Sequence, residues 1–234
     1  MSRKRPELSP IRFGTDGWRA LIASEFTFSN VERVAQAYAD YILRQRDEEA
    51  AARDEEIRRP PATRHDADSR QHSSQETPAY KRRPPAVVVG YDRRFLSEQF
   101  ALRAAEVFAG NQFGVSMFEG DMPTPLVSWA VREQGASGGV VITASHNPPL
   151  FNGFKIKAPF GGSATPEMTV AVESLVDETP PRRGQLSTGA QNEALASSVE
   201  SYRAQIAAYV DLERLRATPA RVVDDPMHGT GGVF

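Results

Sequence analysis

The chain has 234 residues, 40% of them hydrophobic and 25% charged, the balance of a globular protein. A formal net charge of -2 excludes a global field that recruits nucleic acid or anionic membrane, and the lack of cysteine excludes disulfides, thiolate catalysis and cysteine-based zinc sites. The basic N-terminus, Met1 to Pro6, has no apolar core behind it, and no apolar run approaches the ~20 residues of a membrane span, so a soluble protein of the reducing cytoplasm is expected.

Taken in chain order, the first expected strand is Ile11-Arg12-Phe13, followed by the turn-rich Gly14-Thr15-Asp16-Gly17-Trp18-Arg19-Ala20. Ser29 is a suitable N-cap, and Val31, Val34, Ala35, Tyr38 and Ile42 recur at helical spacing behind it. Residues 47–85 are crowded with charge, hold Pro60-Pro61 and Pro84-Pro85, and have almost no large apolar side chains; they are expected to be a disordered insertion, opening at most as a charged extension of the helix. Ala86-Val87-Val88-Val89-Gly90 is the short apolar run of a strand buried on both faces. A second helix is expected from Ser97 to Ala109, with Phe100, Ala104, Val107 and Phe108 on one side and Gly110 as its stop. A strand at Val115 to Phe118 comes next, then a short helix opened by Pro123-Thr124-Pro125. Gly139 to Thr143 and Phe154 to Lys157 are two further strands, and Pro166 to Val176 a helix. A polar connection over 178–192, a helix from Glu193 to Val210 and a strand at Arg221 to Asp224 complete the series. Alternating strands and helices indicate a layered α/β fold.

The chemistry concentrates between Val140 and Lys157, where a buried strand ends at Thr143 and runs into Ala144-Ser145-His146-Asn147-Pro148-Pro149. Ligands in open α/β sheets gather beyond the carboxyl ends of strands, which puts the Ser145 hydroxyl where it meets solvent and substrate. Pro148 and Pro149 stiffen the loop exit and have no N–H, leaving the earlier amides to face a phosphate. His146 adjoins Ser145, but neighbours on an extended loop point apart, so His146 is expected to hydrogen-bond the loop or a phosphate rather than act as the serine's base. Phosphoryl transfer depends on positioning and on neutralising the phosphoryl oxygens, and Lys155 and Arg19 are the cations best placed for that. Arg19 is expected in a turn after the first strand, at the carboxyl edge of the sheet. His65, His72 and the run Lys81-Arg82-Arg83 lie in the insertion and are read as solvated. Gly229-Thr230-Gly231-Gly232 looks like a phosphate-binding loop but lacks both the P-loop lysine and the dinucleotide spacing.

The string Thr143-Ala144-Ser145-His146-Asn147-Pro148 with Asn152-Gly153-Phe154-Lys155 resembles the active-site signature of the α-D-phosphohexomutases, the superfamily of phosphoglucomutase, phosphomannomutase and phosphoglucosamine mutase. Phe13 to Arg19, Gly90-Tyr91-Asp92-Arg93-Arg94, Pro123-Thr124-Pro125 and Asp225 to Gly229 are similar to further motifs of that family, in the same order. The resemblance implies a three-layer α/β/α sandwich with a mixed sheet. Residues 1–190 would be a first domain carrying the serine loop, and 191–234 a connecting helix and the start of a second domain. It also implies an intramolecular phosphotransferase of the isomerase class that interconverts hexose 1- and 6-phosphates through a phosphoserine and a hexose bisphosphate. Ser145 would carry the phosphoryl group and lend an oxygen to Mg²⁺, Arg19 and Lys155 would line the phosphate with Lys155 helping to move protons, and His146 would follow the phosphoserine. The family's metal, sugar and phosphate loops lie in later domains, so the chain is expected to be a truncated or cut form that is inactive alone. Two alternatives stay open: a phosphoglucosamine mutase, against which Trp18 argues weakly, and a non-catalytic phosphate-binding or interaction module.

Overall fold

The computed structural model describes residues 10–58, 84–187 and 190–233. Its centre is a five-stranded sheet built from β1 (Gly17–Leu21), β2 (Ala86–Tyr91), β3 (Gly114–Met117), β4 (Gly138–Ile142) and β5 (Phe151–Lys157), in the order β1-β5-β4-β2-β3. β4, β2 and β3 run parallel, while β5 is antiparallel to both β4 and β1. The carboxyl ends of β1 to β4 therefore share one edge, and the serine loop is the β4–β5 connection across it.

Alternation along the strands sorts the core into two layers. Val87, Val89, Val140, Ile142, Phe154 and Ile156 pack beneath α1 (Phe28–Arg58), α2 (Ser97–Gly110) and α4 (Pro166–Ser174). Val88 and Val141 point the other way, toward α3 (Thr124–Glu133) and α5 (Ala190–Tyr209). β2 and β4 are buried on both faces, which is why they read as unbroken apolar runs. The result is an α/β/α sandwich with a mixed sheet, as expected. The stripe Val31, Val34, Ala35, Tyr38 and Ile42 is fully inside, and Tyr38 donates its hydroxyl to the Lys157 carbonyl at 2.9 Å. Burial raises the Tyr38 hydroxyl pKa well above the ordinary range. α5 docks through Leu195 and Ser198, with Trp129 Nε1 donating to Ser201 Oγ at 2.8 Å. A short helix α6 (Leu212–Ala217) and a 3-10 turn at Thr230–Val233 follow.

The structure corrects three expectations. Ile11-Arg12-Phe13 is not a strand. The Arg12 guanidinium and the Phe13 N–H are both taken by Glu173, at 2.8 and 2.7 Å, and the first strand forms at Gly17–Leu21, where β5 supplies a ladder. Gly17 has φ 155°, and a Cβ there would lie 2.1 Å from the Phe154 carbonyl, so only glycine lets β1 approach β5 at this point. Residues 47–58 are not disordered but form the charged helix extension that the sequence allowed, because their Ala, Glu and Arg are strong helix formers continuing α1; 59–83 lie outside the described residues. Arg221 to Asp224 pairs with no strand among the described residues, and Val222 and Val223 are exposed. Among the described residues no helix is long and apolar enough to cross a membrane.

Candidate active site at the serine loop

The loop hangs from the end of β4 on a set of side chains from β2 and its following turn. Thr143, almost fully buried, donates its hydroxyl to Asp92 Oδ2 at 2.6 Å and accepts the Ser145 N–H at 2.9 Å. Asp92 Oδ1 accepts from Ser97 Oγ and from the Arg94 N–H, both at 3.0 Å. Ser97 Oγ also receives the Asn152 amide at 2.9 Å, which ties the far side of the loop to the same point. The Arg94 guanidinium closes the frame by donating to the carbonyls of Ser145, Asn147, Pro148 and Phe151 at 2.7 to 3.0 Å.

Held this way, Ser145 is exposed at φ 57°, in the left-handed region. A non-glycine residue there is strained by about 1–2 kcal/mol, and such strain collects at functional sites. The turn also corrects the expectation for His146. The loop is not extended at Ser145, so the two side chains do not diverge, and Ser145 Oγ lies 3.4 Å from His146 Nδ1. That is too long for a good hydrogen bond but close enough for the ring to meet a group carried on Oγ.

Arg19 and Lys155 reach the loop through one carboxylate. Asp16 Oδ2 accepts from Lys155 Nζ at 2.8 Å, Asp16 Oδ1 lies 3.5 Å from Arg19, and Arg19 donates to Asn147 Oδ1 at 3.1 Å. Contrary to the expected turn, Arg19 lies within β1, opposite Gly153, because the strand begins later than the sequence suggested. A Cβ on Gly153 would come within 2.5 Å of the Thr143 carbonyl and 3.0 Å of Arg19 Cγ, so this glycine leaves room for the arginine stem. All four sequence-derived candidates thus gather at the β4–β5 edge: Ser145 and His146 in contact, Arg19 and Lys155 linked to the loop by Asp16 and Asn147.

A cavity of about 690 Å³ opens at this edge, lined by Asp92, Arg93, Thr143, Ser145, His146 and His228 among others. Its volume suits a small-molecule ligand. Burial, with the nearby Glu98 and Asp121 carboxylates, pushes the Tyr91 hydroxyl up to about 12, so this neighbour of the site stays neutral and donates to the Glu119 carbonyl. Sequence reading assigned no role to Asp16, Asp92, Arg94, Thr143 or Asn147. The available signal was the charge cluster Asp92-Arg93-Arg94 at the carboxyl end of a buried strand, the same edge as Ser145.

For a divalent metal the site offers little by itself. Asp16 and Asp92 are engaged by cations or hydroxyls, and among the described residues no group of three His, Asp or Glu side chains converges. Mg²⁺ typically binds through one or two protein oxygens, phosphate oxygens and waters, and a phosphoryl group on Ser145 would supply one such oxygen.

Comparison with known proteins agrees with this geometry. Residues 72–183 match the family model described as phosphoglucomutase/phosphomannomutase, alpha/beta/alpha domain I. A phosphoglucomutase of Staphylococcus saprophyticus is 33% identical over 153 residues, covering 62% of this chain and 27% of the relative. A probable phosphoglucosamine mutase of Pyrococcus abyssi is 34% identical over 149 residues, covering 63% of this chain and 32% of the relative. A crystal structure of a Thermus thermophilus protein assigned as a phosphomannomutase superposes with a TM-score of 0.64 at 34% identity, covering 88% of this chain and 38% of that one. The chain therefore spans about a third of the length of the relatives it matches.

Proposed function

The chain belongs to the phosphohexomutase superfamily, whose N-terminal region it matches, and from that premise we propose that Ser145 is the phosphoryl carrier of a phosphoglucomutase or phosphomannomutase. Residues 1–190 act as the carrier domain, and 191–234 lead into a second. The observation that carries this reading is the exposed Ser145 hydroxyl, held in a strained turn by a buried polar frame with His146, Arg19 and Lys155 around it.

In the forward half-reaction, a hydroxyl oxygen of a hexose monophosphate attacks the phosphorus on phosphoserine 145. The new P–O bond forms as the P–Oγ bond breaks, giving the hexose bisphosphate and free Ser145. The proton lost by the sugar hydroxyl is balanced by the one gained at Ser145 Oγ, and Lys155 relays it. Arg19 and Lys155 neutralise the phosphoryl oxygens, which is the main demand of such a transfer. The bisphosphate then turns round and returns its other phosphate to Ser145, so a hexose 1-phosphate becomes a 6-phosphate. Mg²⁺ supplies charge neutralisation when bound, and the residue here that would hold it is phosphoserine 145. The partners are a hexose phosphate and the bisphosphate, with neither nucleic acid nor membrane involved, and the site of action is the cytoplasm. A phosphoglucosamine substrate is the second reading, supported by the 34% identity to the Pyrococcus abyssi relative.

Because whole relatives are about two to two and a half times as long, the 234 residues by themselves are expected to accept a phosphoryl group yet give no sustained mutase turnover. Incubation with glucose 1,6-bisphosphate and Mg²⁺, read by intact mass, tests the first part. One phosphoryl group is gained by the wild type and none by Ser145→Ala; equal labelling of both sinks the proposal. Turnover of glucose 1-phosphate on the order of 10 s⁻¹, ordinary for enzymes, would overturn the second part.

A further inference from the structure

Arg94 lines the cavity beside Ser145, and a guanidinium at a phosphate site invites assignment as an anion ligand. Its hydrogen bonds exclude that. One terminal nitrogen donates to the Pro148 and Phe151 carbonyls, both at 3.0 Å, and the other to Ser145 and Asn147 at 2.8 and 2.7 Å. Those four bonds occupy every terminal N–H of the fork. The remaining Nε sits 3.3 Å from Asp92 Oδ2. That Nε has no hydrogen-bond partner among the described residues but is fully buried, so no exposed N–H is left to offer a phosphate.

What Arg94 does instead follows from the rigidity of the peptide group. Carbonyl and N–H of one peptide plane point in opposite directions. By holding the Ser145 carbonyl, Arg94 fixes the 145–146 plane and turns the His146 N–H away from itself. The loop has no other amide to give between Ser145 and Pro149. The Ser145 N–H is bonded to Thr143 Oγ1, the Asn147 N–H to the Ala144 carbonyl at 3.1 Å, and residues 148 and 149 are prolines. The His146 N–H has no hydrogen-bond partner among the described residues, although the Ser145 and Asn147 amides on either side of it are both bonded.

We propose that the His146 amide is the backbone donor to the phosphoryl group on Ser145, and that Arg94 is the positioning residue that aims it. The proposal rests on the carrier reading of Ser145 and adds the donor and the device that orients it. Of the four carbonyls Arg94 holds, those of Asn147 and Pro148 precede prolines and that of Phe151 shares its plane with the Asn152 N–H inside β5, so within the loop the grip orients only the His146 N–H. Lysine cannot substitute fully. It has three donors on one point, not a planar fork spanning four acceptors.

The test uses the 234-residue chain with phosphoserine encoded genetically at 145, so it does not depend on transfer from a sugar bisphosphate. In ¹H–¹⁵N spectra the His146 amide proton is expected to move downfield relative to the unphosphorylated chain, and to follow the second phosphate ionisation near pH ~6. In Arg94→Met the shift is lost, and in Arg94→Lys it is partly restored, while dispersion elsewhere stays native. If Arg94→Met does not fold, Arg94→Lys against wild type carries the comparison. A His146 amide indifferent to phosphorylation overturns the inference, as does an equal shift in wild type and a folded Arg94 variant. Failure of glucose 1,6-bisphosphate to label Ser145 is a separate result and would count against the carrier reading, not against this geometry.

Discussion

Replacing Thr143 by valine tests whether the serine loop is held by the hydroxyl relay between Asp92 and Ser145. The two side chains are close in shape, so the change removes hydrogen bonds rather than volume. Thr143 is only 4% exposed, so water does not readily replace the lost hydroxyl. Two bonds go: the 2.6 Å donation to Asp92 Oδ2 and the 2.9 Å acceptance from the Ser145 N–H. A hydrogen bond to a charged group contributes about 1.5–3 kcal/mol, and a neutral one about 1 kcal/mol. Asp92 Oδ2 keeps the Arg94 Nε at 3.3 Å, and the exposed position of Ser145 lets water reach its N–H, so the lower part of that range applies. The expected loss is about 2–3 kcal/mol, which for a chain of this size lowers Tm by roughly 5–10 °C. Thr143→Ser, which keeps the hydroxyl, should lose less than half as much. Thermal melts followed by circular dichroism read both. A valine variant melting within ~2 °C of wild type would refute the relay as a source of loop stability.

Ser145→Gly should remove the left-handed strain and raise stability by up to about 1 kcal/mol while abolishing phosphoryl acceptance, measured by urea unfolding and intact mass; a loss of stability would show that the turn is not strained. Asp177 bonds Arg33 through both carboxylate oxygens, at 2.6 and 2.7 Å, which with the charge of Arg33 holds its carboxyl below the usual range. A depressed folded-state pKa gives stability present above pH ~4 and lost as the pH falls through the folded value, so the Tm gap between wild type and Asp177→Asn should be widest near neutrality and close in acid. A gap that stays constant down to the lowest pH would contradict the pairing. Leu195→Ala should destabilise the chain by about 2–5 kcal/mol, because Leu195 is buried between α5 and the α3 layer; a change under ~0.5 kcal/mol in urea unfolding would mean that α5 is not part of the core.

Most of the sheet was readable in the residues because β2 and β4 are buried on both faces and leave unbroken apolar runs, and because α1 keeps its stripe at helical spacing. β1 was misplaced because Gly17-Trp18-Arg19-Ala20-Leu21 opens on a glycine and carries a charge, and its strand character comes from β5, a partner far along the chain. Over 47–58 the sequence left a charged extension of α1 and a disordered segment both open, because that composition suits either. At the site, Ser145, His146, Lys155 and Arg19 were legible from residue type and motif. Arg94, Asp92 and Thr143 were not assigned roles, since their function lies in whom they bond across the fold, which no local pattern encodes. The left-handed turn at Ser145 was equally hidden, because it is imposed by the Thr143 and Arg94 bonds and not by a glycine.

The most direct test of the carrier claim is a charge-and-discharge experiment on the wild-type chain. Glucose 1,6-bisphosphate labelled in its phosphates is supplied with Mg²⁺, the labelled residue is located by peptide mapping, and unlabelled hexose monophosphate is then added. Label confined to Ser145 and removed by the chase as hexose bisphosphate is the predicted result. Label on another residue, or a Ser145 phosphate that the chase cannot discharge, contradicts it.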